Sequence, residues 1–241
     1  MEASPYILPP TDTAHYNQIY QRQNYFNQRE WLYQPLIQAL SQKAQLPKKS
    51  QILDLACGQG FFTSLFANLG FTTLGVDLSS EGIKSAAQQY GSTGAKFEVG
   101  DVVSLPYQDT FDCVFVRSFN FYNSPDFESN PHITEIFLSY LKPGGTFIFL
   151  YSTKLCPLRR SQSWPYRSFN SLRKHFSFYP QAKTFFSVRL DALLLHSLAL
   201  SPLITNLSIL LSTCTGVGGE LIGIVKKPSG RVPYFAHDHL R

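Results

Sequence analysis

The sequence predicts an α/β fold with a mainly parallel seven-stranded sheet, a C-terminal antiparallel hairpin and an N-terminal helical cap. Three observations carry this prediction. Short apolar runs alternate with amphipathic stretches between Ser50 and Ser152. These runs are apolar along most of their length, which is typical of strands that helices cover on both faces. Acidic residues also stand in or just after the first three runs, on the side where open α/β sheets bind ligands.

The region before the first strand, residues 1–48, divides into an arm and a helical cap. Residues 1–10 hold three prolines and are expected to be extended. From Thr13 to Ala44 apolar residues recur at helical spacing. We expect Pro35 to break or kink this helical zone, because proline lacks a backbone donor and clashes with the preceding turn.

The central region supplies five strands. They are Gln51–Ala56, Thr73–Asp77, Lys96–Val99, Cys113–Arg117 and Thr146–Tyr151. The stretches between several of these strands place apolar side chains on one helical face, as Phe61, Phe62, Leu65 and Phe66 do. A Lys-Pro-Gly-Gly turn at Lys142 stops the last helix before the fifth strand. Residues 49–228 are therefore predicted to form one domain.

The alternation of strands and helices ends after the fifth strand. Residues 153–200 are predicted to form an insertion over the ligand edge of the sheet, and they include a basic segment at 159–175. Two β-like segments, Asn206–Cys214 and Glu220–Lys226, predict the antiparallel hairpin because a glycine-rich turn joins them. Residues 229–241 are predicted to be a tail.

The composition excludes several classes of protein. The chain is 44% hydrophobic and 15% charged, which is typical of a globular domain and not of a disordered one. Its four cysteines are widely separated, so neither a metal cluster nor a disulfide framework is predicted. Polar and charged residues interrupt the apolar stretch from Leu190 to Leu211, so we expect no membrane span and a cytoplasmic location. The net charge of +5 permits nucleic-acid binding without requiring it.

A glycine loop follows the first strand and includes Gly58 and Gly60. Glycine lacks a Cβ and accepts a positive φ, so such a loop lets the backbone approach a ligand closely. The loop lacks the third glycine of Gly-x-Gly-x-x-Gly, since Thr63 stands there, and it lacks the Gly-Lys-Ser/Thr of a phosphate-binding loop. It therefore favours a nucleoside ligand without a pyrophosphate.

Three acids extend this pattern along the sheet. Asp77 ends the second strand, 23 residues after Asp54, and Asp101 follows the third strand 24 residues later. An acid at the end of the second strand hydrogen-bonds ribose hydroxyls in nucleotide-binding α/β folds. The sequence thus predicts a nucleoside site at the carboxyl edge of the sheet.

In these motifs the sequence resembles the class I S-adenosylmethionine-dependent methyltransferases, whose fold is Rossmann-like. Ile52–Gly60 resembles the first motif of that family, with Ala56 in place of the first glycine. The later motifs are matched in chain order by Gly75–Ser79, Gly100–Val102, Phe111–Val114 and Leu141–Gly145. The resemblance covers about residues 50–152.

The resemblance implies that the chain binds S-adenosyl-L-methionine, releases S-adenosyl-L-homocysteine and has no metal site. The glycine loop would hold the methionine portion, Asp77 the ribose and Asp101 the adenine amino group. Tyr16 and Tyr20 would close over the cofactor, although plain helix packing is an equal alternative for both. The full set of predicted cofactor-binding residues is Tyr16, Tyr20, Asp54, Ala56, Cys57, Gly58, Gly60, Asp77, Leu78, Asp101, Val102, Arg117 and Ser118.

Methyl transfer from a sulfonium is a direct displacement with a good, neutral leaving group. Alignment and exclusion of water can therefore supply most of the rate. A general base is needed only when the acceptor must lose a proton. Tyr122, in the segment after the fourth strand, is the candidate for that base, and a pocket wall is its alternative role. His132 is expected to be an exposed residue of a first helical turn and His175 a structural residue.

The acceptor is predicted to be a small molecule that is methylated on oxygen or nitrogen, such as a carboxylate-bearing metabolite. The basic segment 159–175 is interleaved with aromatic residues, which leaves an RNA or tRNA acceptor as an alternative. No Asn/Asp-Pro-Pro-Tyr/Phe follows the fourth strand, which argues against methylation of base amino groups. A catalytically silent partner subunit with the same fold is a further alternative.

Overall fold

The computed structural model describes residues 13–27, 29–123, 127, 132–152, 169–179, 181–187 and 220–229. Its helices are α1 (Thr13–Arg22), α2 (Glu30–Lys43), α3 (Phe61–Asn68), α4 (Ser80–Tyr90), α5 (His132–Ser139) and α6 (Phe169–Phe176). Its strands are β1 (Gln51–Leu55), β2 (Thr72–Asp77), β3 (Lys96–Val99), β4 (Phe111–Arg117), β5 (Leu141–Ser152), β6 (Lys183–Ser187) and β7 (Glu220–Lys226). None of the helices in these ranges is both long enough and apolar enough to cross a membrane.

The strands form one sheet in the order β3-β2-β1-β4-β5-β7-β6. The first five strands are parallel, and β7 pairs antiparallel with both β5 and β6. The predicted mainly parallel sheet with an antiparallel edge is thus confirmed. From β1 the chain builds outward to β3 on one side and then to β5 on the other. The carboxyl ends of β1 and β4 therefore flank the point where the strand order reverses, which is where ligands bind in such sheets.

The strand beside β7 differs from the predicted one. Both edges of β7 are occupied from Glu220 to Ile224, one by β5 and the other by Lys183–Ser187. The predicted hairpin partner, Asn206–Cys214, lies outside the described residues. Lys183–Ser187 lies inside the predicted insertion. It is only five residues long, which is too short for its hydrophobic pattern to predict a strand.

The N-terminal helical zone is interrupted at a different place than expected. Pro35 lies inside α2, which continues without a break from Glu30 to Lys43. The interruption falls instead between Arg22 and Glu30. Pro35 is in the second turn of α2. It lacks the N–H that would donate to the carbonyl of Trp31, and the other residues of the helix keep their helical conformation.

Helices cover both faces of the sheet, as the apolar strands predicted. The alternating side chains of β4 show the division, because Val114 and Val116 belong to one apolar core while Cys113 and Phe115 belong to the other. The first core contains α5 and α6, and the second contains α2 and α3. This packing fixes the strand ends at the carboxyl edge, on which the site is built.

A buried polar chain ties α5 and α6 to the segment after β4. The Nδ1 of His175 donates to the carbonyl of Phe127 at 2.8 Å, so its Nε2 accepts from the hydroxyl of Thr134 at 2.9 Å. The Thr134 oxygen in turn accepts from the hydroxyl of Tyr122 at 2.9 Å. Burial lowers the pKa of His175 to about 4, so the imidazole is neutral, and it has the structural role that the sequence predicted.

Candidate functional site

The glycine loop joins the end of β1 to the start of α3. Gly58 and Gly60 have φ values of +56° and +78°, which other residues rarely adopt. Ala56 also lies in this region, with φ of +55°. A methyl group on Gly60 would lie 2.5 Å from the ring of Phe97 and 2.7 Å from the Cβ of Ala86, so the loop is pressed against its neighbours. Gly60 thus has no room for a side chain, while the predicted approach of this backbone to a ligand stays a prediction.

Asp77 joins three consecutive strand ends. One carboxylate oxygen accepts the backbone N–H of Gly58 at 2.8 Å, and the other accepts that of Ser79 at 2.9 Å. The backbone carbonyl of Asp77 accepts the N–H of Gly100 after β3 at 3.0 Å. Burial raises the pKa of the Asp77 carboxyl, while the two N–H donors hold it down. Each oxygen retains acceptor capacity, since a carboxylate offers about four acceptor sites.

Asp54 lies beneath the glycine loop. Its carboxylate accepts a hydrogen bond of 2.6 Å from the hydroxyl of Thr63 in the first turn of α3. Burial and the nearby charge of Asp77 raise the pKa of Asp54 to about 7, although the bond from Thr63 opposes the shift. Asp54 is therefore an acid whose charge changes near neutral pH.

Helix α1 lies across this loop and brings the two predicted tyrosines to the site. The Tyr20 hydroxyl would be 2.8 Å from a methyl group on Gly58, and the Tyr20 ring would be 2.9 Å from one on Gly82. Tyr16 lies beside it, with its ring centroid 6.0 Å from that of Tyr20. Burial raises the pKa of Tyr20, and the charge of Asp77 adds to this, so its phenol is neutral.

Three polar residues that sequence reasoning missed hold α1 in place. Asn17 accepts a bond of 2.6 Å from the hydroxyl of Ser79, the residue that caps α4. Asn120, in the turn after β4, donates to the hydroxyl of Tyr16. Gln59, in the glycine loop, bonds to the backbone at the end of α1. No spacing signal marks these residues, because each meets its partner only through the tertiary fold.

The third predicted acid lies at the rim of the site. Asp101 is exposed, and one of its oxygens accepts the backbone N–H of Val103 at 3.1 Å. The next residue, Val102, is buried, and its carbonyl accepts from the hydroxyl of Tyr140 at 3.0 Å. Leu78, which follows Asp77, is half-buried. The structure thus brings the ends of β2 and β3 together at one edge, with an exposed carboxylate available there.

Arg117 and Ser118 lie at the end of β4, beside the glycine loop of neighbouring β1. The guanidinium carbon of Arg117 lies 5.1 Å from the ring centroid of Phe26 and 5.2 Å from that of Phe62. These contacts place the charge among aromatic rings under the α1–α2 connection. Ser118 has φ of +52°, and its N–H bonds to the carbonyl of Leu150, which turns the chain out of the sheet.

The structure does not favour the predicted general base. The Tyr122 side chain has no exposed surface, and its hydroxyl is bonded to Thr134. Burial raises the pKa of this phenol, so it stays protonated near neutral pH and cannot accept a proton readily. Tyr122 is therefore a buried core residue, and its alternative role as a pocket wall stays a prediction. His132 is exposed in the first turn of α5, as expected.

Only the end of the basic segment falls within the described residues. Arg173 and Lys174 are exposed on α6, while Leu172 and Phe176 are buried against the sheet. Residues 159–168 lie outside the described ranges. Within those ranges no group of three or more His, Cys, Asp or Glu side chains could hold a metal ion. Cys57, in the glycine loop, is half-buried, and burial raises the pKa of its thiol.

Comparison with known proteins places this site in a family. A family model described as a methyltransferase domain matches residues 46–179, which is more than half of the chain. The match includes the glycine loop, Asp77 and Asp101. The chain therefore belongs to this methyltransferase-domain family.

Two curated relatives match shorter segments. A fatty-acid O-methyltransferase of Mycolicibacterium smegmatis is 34% identical over 103 residues, which are 41% of this chain and 36% of the relative. A putative methyltransferase of Bacillus subtilis, YqeM, is 45% identical over 51 residues, which are 21% of each chain. The chain thus matches 36% of the length of the first relative and 21% of the length of the second.

Solved structures share the fold over most of the chain. A chain from the complex between the Haloferax volcanii Trm112 methyltransferase activator and a putative methyltransferase has a TM-score of 0.64 at 19% identity, covering 92% of this chain and 99% of that one. The DhpI complex with S-adenosylhomocysteine (SAH) has a TM-score of 0.56 at 19% identity, covering 91% and 96%. A TehB-like SAM-dependent methyltransferase of Corynebacterium glutamicum has a TM-score of 0.51 at 16% identity, covering 91% and 100%. The Rossmann-like methyltransferase fold is thereby confirmed.

Asp54 makes the stability of the protein depend on pH. Its pKa of about 7 in the folded state exceeds the ordinary 3.8, so between these values the folded state binds the proton more tightly than the unfolded state. The contribution of Asp54 to the free energy of unfolding therefore falls as pH rises toward and past 7. Asp54→Asn keeps an acceptor for Thr63 but has no carboxyl group to titrate. We expect its free energy of unfolding to decrease between pH 5 and pH 8 by about 2 kcal/mol less than that of the parent protein.

Urea unfolding of both proteins at the two pH values measures the effect. Asp112→Asn is the matched control, because Asp112 is partly exposed and lies at the opposite edge of the sheet. An Asp54→Asn variant whose stability changes with pH as steeply as that of the parent would contradict the assignment.

Proposed function

We propose that this chain transfers a methyl group from S-adenosyl-L-methionine (SAM) to an oxygen of a small carboxylate-bearing molecule. The observation that carries the donor half is the Asp77 carboxylate, fixed by the N–H groups of Gly58 and Ser79. It lies beside a loop in which Gly58 and Gly60 have no room for a side chain. Membership of the methyltransferase-domain family supports the same donor.

The residues present fit an adenosyl ligand at this edge. Asp77 has acceptor capacity left for two ribose hydroxyls, and the exposed carboxylate of Asp101 would accept from the adenine amino group. The backbone from Ala56 to Gly60 would lie along the methionine portion, with the carboxyl groups of Asp54 and Asp77 beside the same loop. When bound, the cofactor supplies an activated methyl group and a neutral thioether leaving group.

The residues of this chain contribute alignment and exclusion of water. Tyr20 lies on Gly58 and Gly82, and Tyr16 extends this cover toward Asn120 in the turn after β4. The two rings thus cover the carboxyl end of β1. The end of β2, which would hold the ribose, lies on one side of it, and the end of β4, which would face the acceptor, lies on the other. A fixed cover of this kind lowers the barrier by orienting the reactants in a site closed to water.

A carboxylate acceptor agrees with the side chains near Tyr16 and Tyr20, because its methylation needs no general base. A carboxylate is already ionised at neutral pH, so its methylation requires no general base. In the described part of the site the candidate base, Tyr122, is a buried phenol with its hydroxyl engaged. The similarity to a fatty-acid O-methyltransferase over 41% of the chain supports an acid as the acceptor.

Nucleic acid is the second candidate acceptor. Arg173 and Lys174 on the exposed face of α6 are the described part of the basic segment that supports it. Methylation of RNA, with binding that weakens steeply as salt rises, would favour this candidate over the carboxylate.

The donor half is tested by calorimetry with SAM. We expect the wild-type protein to bind, and Asp77→Ala to weaken binding by about 1–3 kcal/mol, since the ribose hydrogen bonds and the bond that fixes Gly58 are lost together. Asp109→Ala is the control, because this exposed acid precedes β4 at the opposite edge of the sheet and pairs with Lys227. Absence of binding at tens of micromolar in a folded sample, or equal affinity of the Asp77→Ala variant, would refute the proposal.

The acceptor half is tested with SAM labelled in the methyl group. We expect the label to enter medium-chain carboxylic acids as methyl esters, which hydroxide hydrolyses to labelled methanol. The corresponding primary amides are the matched control compounds, and we expect them to remain unlabelled. A label that resists hydroxide, or one found in RNA and not in the acids, would replace the carboxylate with another acceptor.

A further inference from the structure

Gln59 lies inside the glycine loop, and its amide side chain points away from the loop toward helix α1. Its Nε2 donates to the backbone carbonyl of Tyr20 at 3.2 Å. Its Oε1 accepts the backbone N–H of Tyr25 at 3.2 Å. Gln59 is 8% exposed, and both bonds are part-buried. A single side chain of the loop thus holds the chain on both sides of the point where α1 ends.

The two Gln59 bonds lie on either side of the end of α1, so they restrain the backbone there. Tyr20 lies in the last turn of α1, where carbonyls lack partners within the helix. Tyr25 lies in the connection that leads to α2. Because both partners are backbone atoms, the bonds fix the path of the chain where α1 would have to hinge, whatever side chains α1 carries.

Helix α1 depends on such polar contacts. None of its residues is fully buried, and its mean hydropathy is that of a polar helix. Two further side-chain bonds from this region, by Asn17 to Ser79 and by Asn24 to Gln89, run to α4 and its cap. A helix held in this way can leave the sheet without exposing an apolar core. While it stays, Tyr20 covers Gly58.

We propose that Gln59 is a positioning residue that fastens α1 to the glycine loop and so sets how long the cofactor stays bound. The inference rests on the proposed function, since the loop is taken to hold the methionine portion. The loop and the end of α1 then move as one body. Without these two bonds, α1 keeps its bond to Asn120 and its region's bonds to α4 and the α4 cap, but it opens more often and uncovers the loop.

The test compares Gln59→Ala with Gln89→Ala, which removes the exposed bond to Asn24 from the same helical region. Gln59 has an ordinary negative φ, so alanine fits its backbone. Without ligand, we expect hydrogen exchange of the α1 amides to rise in Gln59→Ala and to change little in Gln89→Ala. The amides of β1 and β2 are expected to stay protected in both variants.

With ligand, we expect the dissociation constant for SAH and the KM for SAM to rise about tenfold in Gln59→Ala, the change that two modest hydrogen bonds support. The value of kcat is expected to stay within about twofold or to rise, as it does where product release limits turnover. Gln59→Glu keeps the acceptor for Tyr25 but sets a carboxylate oxygen against the Tyr20 carbonyl, so its dissociation constant should rise at least as much as that of Gln59→Ala.

Two results would overturn the proposal. The first is α1 exchange in Gln59→Ala that equals the wild type. The second is faster exchange with an unchanged dissociation constant, because the fastening would then not govern retention. If the wild-type protein binds neither SAM nor SAH, the proposed function fails and retention with it, while the exchange data still decide whether Gln59 fastens α1.

Discussion

The carboxylate of Asp77 is the contact on which the rest of the site depends. It ends β2, yet its two oxygens hold the backbone of the glycine loop after β1 and the start of α4. Its own carbonyl holds Gly100 after β3. One residue therefore sets the relative positions of three strand ends. Burial of such a charge is costly, and the backbone donors offset that cost while leaving acceptor capacity toward the ligand edge.

The spacing of residues in the sequence was enough to predict that these strand ends meet at one edge of the sheet. Parallel strands of regular length bring their carboxyl ends to one edge, so the spacing alone predicts that Asp54, Asp77 and Asp101 lie together. The glycines carried a second signal, because Gly58 and Gly60 take backbone conformations and close contacts that other residues would not tolerate. Both signals are local, so they do not depend on which distant segments pack around the loop.

Other features could not be predicted, because they arise only in three dimensions. Asn17, Gln59 and Asn120 are ordinary polar residues until α1 folds across the sheet and brings each to its partner. Tyr122 followed the pattern of a catalytic position, but packing buried it in a chain of hydrogen bonds that ends at His175. Strand β6 is five residues long, and its pairing with β7 depends on a distant partner.

The donor and acceptor halves of the site therefore rest on different physics. In the proposed function, the donor half would be built from the backbone geometry at the strand ends. In the proposed function, the acceptor half would be built from α1 and the turn after β4, where Asn120 bonds to Tyr16. This division explains why sequence motifs identify the donor and leave the acceptor to be inferred from the chemistry of its surroundings.

A crystal structure of the protein with SAH tests the central claim most directly. The account predicts both ribose hydroxyls within hydrogen-bond distance of the Asp77 carboxylate, the amino acid portion along Ala56–Gly60, and Tyr20 over the ligand with Gln59 still bonded to the end of α1. A ligand bound away from Asp77, or one that Tyr20 does not cover, would contradict it.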